Sequence, residues 1–177
     1  MAQFTNTFLK KSNIYGFLFV AIPGTLLHFT FDWFSQNPVV GLFSAVNEST
    51  WEHMKLLFFP ALIFFLFEYK KYGTTSRDLL VVRTLGLLCG LAFIPVSFYT
   101  YTGIIGRSFT VLDVAVFFIS VFLTFRISSR LLQHPQRLTI LTAVIILFLL
   151  LALFFVFTFY PPHIQLFLDP VTFTYGI

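Results

Sequence analysis

Charge is what this sequence has least of. Aspartate, glutamate, lysine and arginine make up 10% of its 177 residues, against roughly 25% in an ordinary soluble domain, so a water-facing surface cannot be assembled from it. Cysteine is almost missing: Cys89 stands alone inside an apolar run, which excludes an intramolecular disulfide and a cysteine-rich metal cluster. Basic residues nowhere form a run interleaved with aromatics, so no nucleic-acid partner is expected. No clear small-residue cleavage site follows the first apolar stretch, which is as long as a membrane span, and no cleavable signal peptide is expected. Internal repeats and low-complexity linkers are also missing.

What is abundant is apolar surface. Hydrophobic residues reach 58%, with 27 phenylalanines and a mean hydropathy of +0.89. A spanning helix needs about 20 mostly apolar residues, and five segments qualify: Ile14–Trp33, Trp51–Tyr69, Leu79–Tyr101, Phe109–Leu131 and Leu138–Tyr160. Ser35-Gln36-Asn37-Pro38, the stretch from Lys70 to Thr75, Gly103 to Ser108, Gln133 to Gln136 and Pro161-Pro162 interrupt or end them. Backbone groups in lipid must pair internally, so the expected fold is all-α: one polytopic membrane helix bundle over residues 1–177. Val39 to Phe43 is too apolar for an aqueous loop and too short to span, which suggests a re-entrant or interfacial segment. The apolar tail from Pro161 to Ile177 is expected to fold back as a cap.

Basic residues favour the cytoplasmic side. Lys10, Lys11, Lys70, Lys71, Arg77, Arg83, Arg126, Arg130 and Arg137 fall on one side of this topology and only Lys55 and Arg107 on the other. The expectation is an N-terminus inside and a C-terminus outside.

That topology gathers the titratable groups. His28 and Asp32, Glu48, Glu52 and His53, Asp113, His163 and Asp169 all belong to the outer face, whereas Glu68, Asp78 and His134 belong to the inner one. Ionisable groups near the membrane mark a functional site by default. Each also has a plainer role. Ser49-x-x-Glu52 and Thr110-x-x-Asp113 read as capping boxes, and Glu52 pairs with Lys55 at i+3. Asn47-Glu48-Ser49 is a sequon pressed against a helix. Trp33, Trp51, Tyr99, Tyr101, Tyr160 and Tyr175 suit interfacial anchoring. His28 and Asp32 resist such readings best: they share a helix face at i and i+4, and Asp32 sits near a helix C-terminus, where the macrodipole opposes an anion.

The stretches His28-Phe29 to Trp33, Asn37-Pro38-Val39-Val40-Gly41-Leu42-Phe43 and Val46-Asn47-Glu48-Ser49-Thr50-Trp51-Glu52-His53-Met54-Lys55-Leu56 resemble a family of uncharacterised small bacterial membrane proteins. So do Pro161-Pro162, Leu166 to Pro170 and Tyr175-Gly176. The resemblance spans nearly the whole chain and implies a multi-pass protein of the bacterial plasma membrane, with no catalytic residue to carry over. More distantly, the arrangement is similar to membrane-embedded metallohydrolases acting on lipid amides.

The leading expectation is a membrane-embedded hydrolase-like enzyme with an outward-facing site and a membrane lipid or other amphiphile as substrate. His28, His53 and Asp32, Glu48 or Glu52 would hold a divalent metal such as zinc, leaving a position for an activated water. Glu48 or Glu52 would act as general base, Asn47 or Asp169 would orient the substrate, and Trp51 would face it. The alternatives are a small transporter using the cluster as an ion or proton site, rescued by a homodimer, and a non-catalytic subunit binding a partner membrane protein.

Overall fold

The computed structural model describes residues 2–73 and 78–177. Thr74, Thr75 and Arg77, and the side chain of Lys10, fall outside that description. Among the described residues the chain is all-helical: α1 (Ala2–Trp33), α2 (Pro38–Gly41), α3 (Thr50–Tyr72), α4 (Leu79–Ile105), α5 (Thr110–Leu131) and α6 (Ile140–Phe159), then a tail with one 3-10 turn at Gln165–Phe167. Five stretches, Lys11–Trp33 and the whole of α3, α4, α5 and α6, are long and apolar enough to cross a membrane. They follow the five apolar segments of the sequence closely.

Helix α3 is the centre of the bundle. Leu57, Phe58, Ala61 and Phe65 are sealed from the surface between α1, α4, α5 and α6. In contrast, α6 buries only one stripe, Ala143, Leu147, Phe154 and Thr158, and exposes Leu141 and Phe148. Such a face needs lipid around it.

The tightest seam joins α4 to α5, and small residues make it. A Cβ on Gly86 would lie 2.1 Å from the Ser128 hydroxyl and 2.3 Å from the Thr124 carbonyl; one on Gly90 would lie 2.1 Å from the Thr124 hydroxyl. Gly86 and Gly90 on α4 thus meet Ser120, Thr124 and Ser128 on α5, the small-residue packing by which helices approach in a bilayer. A second close approach joins α1 to α3, where Gly24 faces the Leu56 carbonyl. Pro60, four residues on, has no N–H to offer that carbonyl.

Each end of the bundle is pinned by a buried ion pair. At one end Arg83 donates from Nε and Nη2 to Glu68 at 2.7 Å each, and to Asn13 and Ser12. Ser12 also bonds Glu68, and Asn13 reaches Ser129 at 2.5 Å, so α1, α3, α4 and α5 are tied at one point. Arg83 reads from sequence as a loop-flanking positive charge; it is 1% exposed instead, because it lies one turn inside α4 with a carboxylate waiting on α3. At the other end Lys55 lies 2.5 Å from Glu52 and donates to the Gly41 carbonyl at 2.7 Å and to Thr158 at 2.9 Å. This joins α2, α3 and α6.

The apolar segment after α1 packs on this second end. Ser35 and Gln36 take left-handed backbone angles (φ 54° and 57°) to turn the chain, Asn37 caps α2 by accepting from Val39 N–H, and Ser44 is buried. Its hydroxyl bonds the Leu27 carbonyl at 2.5 Å and the Phe31 amide at 3.1 Å, which fixes the last turns of α1. The tail folds over the same end: Phe167 packs on Trp51, Tyr99 donates to the Gln165 carbonyl, and Ile177 N–H reaches the Thr158 carbonyl.

Candidate metal centre

Three side chains converge at the tail end of the bundle: His28 from α1, Glu48 from the loop before α3, and His53 from the first turn of α3. His28 Nε2 lies 3.7 Å from one Glu48 oxygen, and His53 Nε2 lies 3.4 Å from the other. One ligand atom from each of the three can be chosen so that all lie within 4.8 Å of one another. The rings are 5.2 Å apart, centroid to centroid.

Local structure holds each member. His53 Nδ1 lies 2.9 Å from the Ser49 carbonyl, which can only accept, so Nδ1 donates there and Nε2 is the ring atom turned toward Glu48. His28 Nδ1 is buried without a hydrogen-bond partner. Glu48 precedes Ser49, the N-cap of α3, whose hydroxyl accepts from Glu52 N–H at 3.3 Å. Behind the loop, Asn47 accepts from Ser49 N–H and donates to the Gly176 carbonyl at 3.0 Å.

The remaining residues expected at the site take other places. Asp32 is exposed, one turn beyond His28 and outside the three-residue group. Glu52 is 2% exposed, paired with Lys55, and accepts from Val46 N–H at 3.0 Å; it braces the loop that carries Glu48. Trp51 is 7% exposed, enclosed by Phe154, Phe157 and Phe167. Asp169 is buried in the tail. Burial works against its charge, but the amide donors of Val171 at 2.7 Å and Thr172 at 3.3 Å outweigh it, with the Glu48 amide adding to them, and hold the carboxyl below its ordinary range. Asp169 therefore fastens the tail to the Glu48 loop.

A cavity of about 600 Å³ adjoins the cluster. His28, Glu48 and His53 line it together with Ser108, Thr110 and Asp113. Leu56, Ile94 and Phe117 lie deeper, about one helical turn toward the middle of the spans. Asp113 does not close a capping box: Phe109 occupies the N-cap of α5 without a side-chain bond. It accepts instead from the Tyr101 hydroxyl of α4. The cavity is what the sequence reading lacked, because α4 and α5 contribute lining residues far in sequence from the cluster.

Five apolar spans around a buried polar frame suit a multi-pass membrane protein, here one with a His/carboxylate cluster at one end. The chain belongs to the family of unknown function DUF6512, whose model matches residues 1–177. No curated protein and no solved structure matches it.

Proposed function

We propose that His28, Glu48 and His53 bind a divalent metal ion, zinc by ligand type, in a membrane-embedded hydrolase that cleaves an ester or amide of an amphiphile at the outer membrane face. The convergence of the three ligand atoms carries this reading. A tetrahedral ion with ligands at about 2.0–2.2 Å requires edges of about 3.3–3.6 Å. The histidines lie 3.7 and 3.4 Å from different Glu48 oxygens, and one ligand atom from each residue falls within 4.8 Å of the others. Small side-chain shifts would close the three onto one ion. Two histidines and one carboxylate leave the fourth position to water. The Ser49 carbonyl on His53 Nδ1 is the outer partner that a ligating histidine needs.

A divalent ion there would polarise a substrate carbonyl and make a water in the open position more acidic. Asp113, a carboxylate lining the same cavity outside the ligand set, would take a proton from that water. It would return the proton to the alcohol or amine released as the C–O or C–N bond breaks, the water oxygen staying on the carboxylic acid.

A transport reading finds no comparable support. Between the cavity floor and the Arg83 network lie Leu57, Phe58, Phe65 and Leu87, each at most 1% exposed, and this apolar plug offers an ion no ligands.

Metal analysis of the detergent-purified protein tests the proposal. About one zinc or other transition ion per chain is expected, and it is lost in His28→Ala and His53→Ala while thermal unfolding stays cooperative. A folded wild-type protein that takes up no divalent ion when titrated overturns it.

A further inference from the structure

The charge and shape of the cavity restrict what enters. Among the described residues, no lysine or arginine lines it. Lys55 is locked to Glu52, and Arg107 is turned onto the ring of Phe109 at 4.6 Å. The charged groups facing the space are Glu48 and Asp113 with the two histidines. From the side chains alone, an anionic head would therefore meet two carboxylates and no lysine or arginine. With a divalent ion on the cluster, that ion and the two carboxylates sum to zero, which matches an uncharged head.

The shape adds a direction of entry. Val114 and Phe118 line the cavity and are also 50% and 38% exposed on α5. In a bilayer they face acyl chains, so the cavity opens sideways into the lipid on this helix. Leu56, Ile94 and Phe117 close its depth with apolar surface. A chain entering over Val114 and Phe118 can rest on these three while its first polar atoms lie between the His/Glu cluster and Asp113.

We infer that the cavity binds a single-chain amphiphile with an uncharged head, a monoacylglycerol-type ester or a simple N-acyl amide, taken laterally from the bilayer, and discriminates against phosphate-bearing lipids. The neutral head rests on the metal reading of the site; the chain seat and the exclusion of anions do not.

The test uses the full chain in phosphatidylcholine vesicles, with a monoacylglycerol carrying a photoreactive diazirine on an early carbon of its acyl chain. Labelling is expected at Leu56, Ile94 or Phe117. Excess unlabelled monoacylglycerol should reduce it about tenfold, whereas the same excess of lysophosphatidic acid leaves it unchanged. Ile94→Trp fills the seat and should cut labelling by a similar factor. Asp113→Lys, whose site lies in the first turn of α5 away from the core, should make the anionic competitor effective. Equal competition by both lipids in the wild type, or labelling that ignores Ile94→Trp in folded protein, overturns the inference. Protein that labels but takes up no metal refutes the metal site and the charge match to a neutral head, and supports the chain seat. Protein that holds metal but does not label refutes this inference alone.

Discussion

Lys55 is fully enclosed, and its three ammonium protons have three acceptors: the Glu52 carboxylate, the Gly41 carbonyl and the Thr158 hydroxyl. A buried ion pair costs desolvation, and removing one partner leaves the other charge uncompensated at about 3–5 kcal/mol. Glu52→Gln should therefore destabilise the protein by that amount, read as a lower unfolding temperature in detergent. Glu52→Gln with Lys55→Met should recover most of the loss, because no charge is then stranded. Glu48→Gln, at a side chain 49% exposed, should change stability by under about 0.5 kcal/mol. If Glu52→Gln melts like the wild type, the clamp is not what holds α2 and α6 to α3. The two glutamates stand four residues apart in one motif, and sequence gives both to the same cluster. Their difference arises from position: Glu48 lies before the cap and is free to turn toward the histidines, whereas Glu52 lies in the first helical turn, three residues from Lys55. The pairing at i+3 was legible; that it is sealed under α2 and α6 was not, since that depends on Thr158, over 100 residues away.

At the scale of elements, the five spans were plain because apolar runs of membrane length have few alternatives. The contacts between them were less so, although Gly86-Leu87-Leu88-Cys89-Gly90 is a small-residue repeat that marks a close helix face. Gly86→Ala places a Cβ against the Ser128 hydroxyl and the Thr124 backbone, and the backbone cannot give way cheaply. A loss of about 1–3 kcal/mol is expected from such overpacking. Gly103→Ala, where nothing lies within 4 Å, should be neutral or slightly stabilising. Comparing the two variants in the same unfolding assay separates the seam from general helix propensity. The tail has its own dependence on acid. A carboxyl held below its unfolded value stabilises the fold at pH above that value and loses this contribution as pH falls through the depressed one. The tail should thus loosen below the ordinary carboxylate range near pH 4, seen as faster amide exchange at Val171 and Thr172. Asp169→Asn should exchange faster at neutral pH and show no such acid step.

For the whole molecule the open matter is which way the site faces. Charge bias pointed to an inner N-terminus, and the structure changes what may be counted. Arg83 and Lys55 are neutralised inside the protein by Glu68 and Glu52, so neither reports on the surrounding solvent, and one leaves each side of the nine-to-two bias. Among the described residues, what stays exposed is Lys11, Lys70, Lys71, Arg126, Arg130 and Arg137 at the Arg83 end, and Arg107 at the cluster end. The asymmetry survives the correction, and by the preference of basic loops for the cytoplasm the cluster is expected to open outward. Cys89 lies on the lipid-facing surface of α4 and should not react with a charged maleimide, so single added cysteines can report. Thr172→Cys in the tail should react with a membrane-impermeant maleimide added to intact cells, and Gln133→Cys between α5 and α6 only after the cells are opened. The reverse pattern would turn the His28–Glu48–His53 cluster toward the cytoplasm. The cavity would then draw its amphiphile from the inner leaflet, with its geometry unchanged and its source of substrate reversed.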